Sequence, residues 1–485
     1  MKEGYIPREQ RKKILLLCDD IRMTSGISTM AREIVIGTAH RFNWVNIGGA
    51  ITHPDKGKRF DLNDDTNKNA EITDASVFLY PVDGYGSPEL IRQMMEIEKP
   101  DAIMFFTDPR YWIWLFQIEH EIRKQIPMIY LNIWDDLPYP MYNKSYYESC
   151  DTLLAISKQT ENINRCVLGD VANEKTIKYV PHGINEKMFF PITTEHPEYL
   201  ALQEFKKQLY GGKNYDFTLL YNARNIRRKC VPDLMLAWKV FIDGLPTDKA
   251  EKCALVMHTQ VIDENGTDLR AVKDMLFGNL PQYKIIFDEN KYPTNVMNLL
   301  YNATDANALI SSNEGWGLSL TEAMMTGKPI IATVTGGMQD QMRFEDENGD
   351  WIKFTEEFGS NHRGKYKKHG NWAFPVFPSN LSIVGSIPTP YIFDDRAEPF
   401  DIAKQISALH DVKTVTPLDY ESRCKAAYDW VMSDESMMTA ANMSKNIIDG
   451  VEETFNKWQP RHSFELIKVE PLEQPNHFVK HAIAK

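Results

Sequence analysis

The chain has 485 residues, and at a prior of about 150 residues per domain it divides into two or three domains. Hydrophobic residues make up 43% and charged residues 25%, the balance of a globular protein with a full-sized core. A net charge of −12 excludes an overall basic field that would draw the chain to nucleic acid or anionic lipid, though not a local basic patch.

The opening "MKEGYIPREQRKK" is polar and lacks the apolar core of a signal peptide. "KILLLCDD" (13–20) reads as a buried strand. "SGISTMAREIVIGTAHRF" follows at helical spacing, with Ser25 as its N-cap. "NWVNIGGAI", "ASVFLYPVD", "DAIMFFTDP", "MIYLNIWDD", "TLLAIS" and "IKYVPHGI" are further strand candidates. Most are near-continuous apolar runs, as expected of a parallel sheet buried on both faces. Around 186–215 the pattern breaks into a polar, proline-containing stretch. It restarts with "FTLLYNARN", a helix from about Val231, "CALVMHTQ", "YKIIFDEN", a helix at 294–303, "ANALISSN", a helix from about Ser319, and "PIIATVTGG". The fold class is therefore α/β, two doubly wound Rossmann-like domains in tandem, with ligands beyond the carboxyl ends of the strands. The stretch 340–400 is less regular, 400–460 reads as helical, and the last 25 residues read as irregular. Six cysteines without a C-x-x-C pair point to a reduced, cytoplasmic protein. No apolar run approaches the roughly 18 residues that cross a bilayer, so stable membrane insertion is not expected.

Two clusters carry the chemistry. In "NEGWGLSLTEAMMTGKPII" (313–331), Ser319-Leu-Thr-Glu322 fits a capping box, which places Glu322 on the first turn of a helix and Glu314 in the glycine loop before it. Gly315 and Gly317 let that loop approach a ligand, and the amides at the helix start favour a phosphate. Carboxylates accept hydrogen bonds from a diol, so a phosphate site beside two of them describes a nucleotide sugar. The alternative is that Glu322 only caps its helix and Glu314 is solvated. In "YNARNIRRKC", Arg224 and Lys229 sit between a strand and a helix, where two cations can neutralise a diphosphate. A solvated basic turn is the competing reading.

The segment "DANALISSNEGWGLSLTEAMMTGKPIIATVTGG" resembles the hallmark region of glycosyltransferase family 4, retaining transferases of the GT-B fold. Their Glu-x7-Glu motif is matched by Glu314 and Glu322. Their Gly-Arg-x4-Lys-Gly segment is matched by Arg224 and Lys229, with Ala223 and Cys230 in place of the glycines. "YVPHGINEKMFFP" resembles the segment closing the first domain, with His182 where an asparagine is usual; "LLAISKQT" and "DDIRMTSGIS" resemble the strand before it and the first glycine loop. The resemblance covers roughly 13–340.

The resemblance implies a first, acceptor-side domain over 1–195, a nucleotide-sugar domain over 214–430, and C-terminal helices and tail over 431–485 crossing back to the first. It implies retaining transfer of a hexose or pentose from a nucleoside diphosphate sugar, UDP-linked, to a hydroxyl, with no cofactor and no metal. Arg224 and Lys229 would hold the diphosphate, Glu322 the ribose, and Glu314 the sugar. The loop Gly315, Trp316, Gly317 and Leu318 would lie along sugar and phosphate, and Gly26 would approach from the other domain. Where many relatives have a histidine, this chain has Asp135 and Asp136, either of which could bind hydroxyls or act as a base; Asp136 is the catalytic candidate and Asp135 the acceptor-side one. His182 would shape the hinge-side loop. Trp112, Trp114 and Trp134 read as core.

The N-terminal segment and the irregular insert also resemble glycosyltransferases of T-even-like bacteriophages, some of which glycosylate hydroxylated cytosines in DNA; a viral protein would then act in the host cytoplasm. The run "HRGKYKKHGNW" supplies Arg363, Lys365, Lys367 and Lys368 with Tyr366 and Trp372, which could meet a DNA backbone. Polysaccharide, lipid and small-molecule acceptors remain open. So do a sugar-nucleotide epimerase and an inactive binding protein, and the oligomeric state is not legible.

Overall fold

The structure, a computed structural model, describes residues 4–278 and 280–461. Two separate parallel sheets carry the chain. The first has eight strands, in spatial order Phe60–Asp61, Val77–Pro81, Phe42–Gly49, Lys12–Asp19, Ala102–Phe106, Met128–Asn132, Thr152–Ala155 and Thr176–Tyr179. All its pairings are parallel except that of the short Phe60–Asp61 strand. The second has six, all parallel, in the order Ile285–Asp288, Cys253–His258, Phe217–Asn222, Ala306–Leu309, Ile330–Thr333 and Ala373–Val376. The chain is thus α/β, with two doubly wound, Rossmann-like halves.

Strand sequence explains this arrangement. Leu15, Leu17, Ile103 and Phe105 face one layer of helices while Ile14, Leu16, Ala102 and Met104 face the other, and all are buried. Burying both faces removes the alternation that a half-solvated strand would show. Four helices start where a hydroxyl accepts from a free amide: Ser25 from Ser28, Ser87 from Leu90, Ser157 from Thr160 and Thr439 from Asn442.

The helix Ala440–Lys457 lies against Gly26–Thr38 of the first half, and Thr454 shares a hydrogen bond of 2.6 Å with Thr152 on the first sheet. The chain therefore returns to its first half after finishing its second. The irregular tail expected from sequence falls from 462 onward, outside the described residues.

Two local expectations are corrected. The helix expected from Ser319 spans Leu318–Met325 and follows Gly317, whose φ of 88° is left-handed; no side chain caps it. Ser319 is inside the helix, so the capping box does not form, and the Glu322 carboxylate turns to the Tyr301 hydroxyl instead. The irregular 340–400 stretch contains the last strand of the second sheet and an antiparallel hairpin, Asn380–Ser386 with Thr389–Arg396. Its sequence, "NLSIVGSIPTPYIFDDR", breaks strand patterning with a glycine and two prolines near the turn.

Candidate active site between the two sheets

The carboxyl ends of the strands from both sheets converge on one cavity of about 1230 Å³. From the first half come Thr24–Gly26 after Lys12–Asp19, Asp108 and Arg110 after Ala102–Phe106, and Trp134–Asp136 after Met128–Asn132. From the second come Arg224 and Arg227–Lys229 after Phe217–Asn222 and Ser312–Leu318 after Ala306–Leu309. Strand ends leave backbone amides unpaired and side chains free to converge, which is why ligands collect there.

Glu314 is the centre of this arrangement. Its Oε2 accepts from Lys229 Nζ, from Arg228 Nη1 at 3.0 Å and from Ser311 Oγ at 3.1 Å. Burial opposes its ionisation, but Arg228 and Lys229 overcome that and hold its pKa at about 2. Burial also lowers the Lys229 pKa, against the pull of Glu314. Behind the loop, the Gly337 amide donates to the Glu314 carbonyl at 3.0 Å. Gly336 (φ 51°) passes so close that an added Cβ would stand 2.1 Å from that same oxygen.

Asp135 and Asp136 enter from the opposite half. Asn313 Nδ2 donates to Asp136 Oδ1 at 2.7 Å, a bond that joins the two halves inside the site. Burial, with Arg228 opposing and Glu314 reinforcing, raises the Asp135 pKa to about 7. Burial and the neighbouring Asp135 raise that of Asp136 well above the usual range. Two carboxylates side by side cannot both ionise cheaply, so the pair titrates as a unit.

Most residues singled out from sequence meet here: Gly26, Asp135, Asp136, Arg224, Lys229, Glu314, Gly315, Trp316, Gly317, Leu318 and Glu322 all line the cavity. Their postures differ from simple expectation. Arg224, with a side chain 57% exposed, is turned to Asp263 (2.7 Å) and away from Glu314. Trp316 is buried and its Nε1 donates to Thr321 at 3.0 Å. Glu322 accepts from Tyr301, which in turn accepts from Asn222 Nδ2 at 2.7 Å. His182 lines the cavity edge-on to Trp316 and Phe106, and burial lowers its pKa to about 3, so it is neutral. Trp112 and Trp134 are buried in the first half's core, and Trp114 packs against it. Arg363, Lys365, Lys367 and Lys368 are exposed, and none of them lines the cavity.

Sequence reading missed Arg228, Asn313, Asp108, Arg110 and the hairpin. Arg228 stood within a basic run and nothing in that run separated it from its neighbours. Its signal was adjacency to Lys229, which matters only once Glu314 faces both. Among the described residues, no group of three or more His, Cys, Asp or Glu side chains could hold a metal ion, and no helix is long and apolar enough to cross a membrane. All six cysteines are free thiols.

Comparison with known proteins gives this geometry its context. None of the curated proteins matches the chain. HepE of Anabaena in complex with UDP-glucose superposes with a TM-score of 0.60 at 13% identity, covering 91% of this chain and 99% of that one. Sucrose-phosphate synthase from Thermosynechococcus elongatus gives 0.59 at 12%, covering 92% and 100%. The E. coli trehalose-6-phosphate protein bound with UDP-2-fluoro glucose gives 0.60 at 12%, covering 91% and 99%. At these identities the likeness is one of fold, the GT-B arrangement. Residues 260–358, which include the Glu314 loop and the helix bearing Glu322, match the family described as glycosyl transferases group 1. The protein is a glycosyltransferase, with a group 1 domain in a GT-B fold.

Proposed function

We propose that the protein transfers a hexose or pentose from a UDP-linked sugar to an acceptor hydroxyl, with retention at the anomeric carbon and without a metal. The observation that carries this reading is Glu314, held by Lys229 and Arg228 in a cavity that both halves line. A diphosphate entering the cavity replaces Glu314 as partner of these cations, with Arg224 beside them. As the bond from the anomeric carbon to the diphosphate breaks, its electrons move to the phosphate oxygen, where positive charge stabilises them. Glu314, released toward the sugar, faces the positive charge that develops on the ring. The acceptor oxygen bonds to the same face of that carbon, and its proton passes to the Asp135–Asp136 pair. Glu322 and Tyr301 receive the ribose hydroxyls, and the loop Gly315–Leu318 with Gly26 follows the sugar and phosphate. In this reading residues 1–195 serve the acceptor, 214–430 the donor, and the segment from 431 ties the two.

A second reading of the acceptor, a hydroxylated cytosine in DNA, has one observation in its favour. Arg363, Lys365, Lys367 and Lys368 are exposed and have no acidic partner within ion-pair distance among the described residues. Such cations suit a phosphate backbone.

The test is a screen of nucleoside diphosphate sugars with and without acceptors, hydroxymethylated DNA included, read as nucleotide release and product anomer. Slow donor hydrolysis and an α-to-α or β-to-β product are expected, unchanged by a chelator. Free epimer would assign an epimerase instead; binding without turnover would assign a sugar-nucleotide binding protein. Loss of all turnover with a chelator would overturn the metal-free reading.

A further inference from the structure

The hairpin Asn380–Arg396 grows from the second half, between the strand Ala373–Val376 and the helix Pro399–Val415, yet it docks on the first. The Phe393 amide donates to the Leu137 carbonyl at 2.5 Å, and Tyr142 Oη donates to the Tyr391 carbonyl at 2.8 Å with the two rings edge-on at 4.8 Å. Its base is tied to the Glu314 loop: Asn313 Nδ2 donates to the Phe393 carbonyl at 2.5 Å and the Asp395 amide to the Ser312 carbonyl at 3.2 Å. Asn313 also donates to Asp136, so the hairpin stands beside the aspartate pair.

Of the cations that line the cavity, Arg227 alone has no acidic partner within ion-pair distance among the described residues, and it lies in the loop between Arg224 and Arg228 rather than on the hairpin. Arg110 is engaged by Asp108 through both Nε (2.9 Å) and Nη2 (2.7 Å). Arg396 is paired with Asp233 at 2.5 Å. Asp394 lines the cavity with no cationic partner in hydrogen-bond or ion-pair contact among the described residues, and it repels an anion. The remaining hairpin surface in the cavity is apolar or hydroxylic: Val384, Ile392, Ser386 and Thr389. Val384 is 42% exposed, and Ile392 is its partner across the hairpin. Apolar side chains presented to water at a cavity wall favour an occupant that covers them.

We infer that the hairpin is the specificity wall of the acceptor subsite, and that it admits an acceptor whose hydroxyl-bearing end is uncharged and has an apolar face, while rejecting a phosphorylated one. This rests on the transferase reading for its reaction, but the recognition is testable by binding alone. The contest is p-nitrophenyl glucoside, neutral and flat, against glucose 6-phosphate. Each is titrated calorimetrically into the full chain saturated with UDP, and each is offered as acceptor with UDP-glucose. The wild type prefers the aryl glucoside by about tenfold or more, the scale of an apolar pocket contact. Val384→Ser lowers its affinity several-fold, and Val384→Arg, which supplies a free cation at the wall, shifts the ratio toward the phosphate by about tenfold. The ratio within one variant is insensitive to a change in its folded fraction. Equal or tighter binding of glucose 6-phosphate by the wild type, binding of neither compound, or an unchanged ratio in Val384→Arg overturns the inference. Preference in binding without transfer from any donor sugar leaves the wall in place and removes the transferase reading instead.

Discussion

Replacing Glu314 with glutamine removes the shared counter-ion of Lys229 and Arg228 while keeping the side chain's shape. The drop of the Glu314 pKa from 4.5 to about 2 corresponds to about 3 kcal/mol of preference for the ionised form in the folded protein. A carboxylate with a depressed folded pKa contributes stability that is present above its unfolded value near 4.5 and lost as pH falls toward 2. At pH 7 the whole contribution is in force, so Glu314→Gln lowers stability there by up to about 3 kcal/mol. Urea denaturation from pH 7 to pH 4, with and without UDP, reads the effect. The gap between wild type and variant narrows below about pH 4.5. UDP raises the midpoint more in the variant than in the wild type, since the diphosphate then meets two unpaired cations, while turnover with a UDP-sugar falls more than donor affinity does. A variant as stable as the wild type at pH 7, or one that gains no more from UDP, refutes the account of Glu314 as the resident counter-ion.

Arg228→Ala and Lys229→Ala each lower turnover by about 10² or more, the effect of losing one electrostatic donor, and Arg224→Ala lowers it less because Asp263 already holds that guanidinium; steady-state rates of the three variants check the order. The rate rises with pH through about 7, as the raised Asp135 carboxyl ionises, and Asp135→Asn abolishes that limb. Its raised folded pKa also means that the wild type loses stability as pH climbs from about 4 to about 7, so Asp135→Asn is the more stable protein in a melt at pH 8. Gly336→Ala drives a methyl against the Glu314 carbonyl and a left-handed backbone at once, and donor binding measured by UDP titration falls by about tenfold or more at a cost of roughly 1–3 kcal/mol.

Apolar runs such as "KILLLCDD" and "CALVMHTQ" announced a buried parallel sheet because every residue in them must be covered, and that requirement is local to each strand. The glycines around Glu314 were legible for the same reason: a left-handed φ at Gly317 is a property of one residue and its bonds. The Ser319 capping box was equally local and failed, because the helix starts after Gly317 and takes Ser319 inside it, while Tyr301, 21 residues before Glu322, donates to the Glu322 carboxylate. What Glu314 faces, which acid each arginine meets, and where the hairpin lies depend on side chains brought together from distant strand ends. Arg228 and Glu314 are 86 residues apart, Asp136 and Asn313 177, and Tyr142 and Tyr391 249. A one-dimensional pattern records which faces must be buried, since burial is decided by a residue's own chemistry. It does not record which charges will share one low-dielectric space, since that energy depends on distances set only when both sheets have packed.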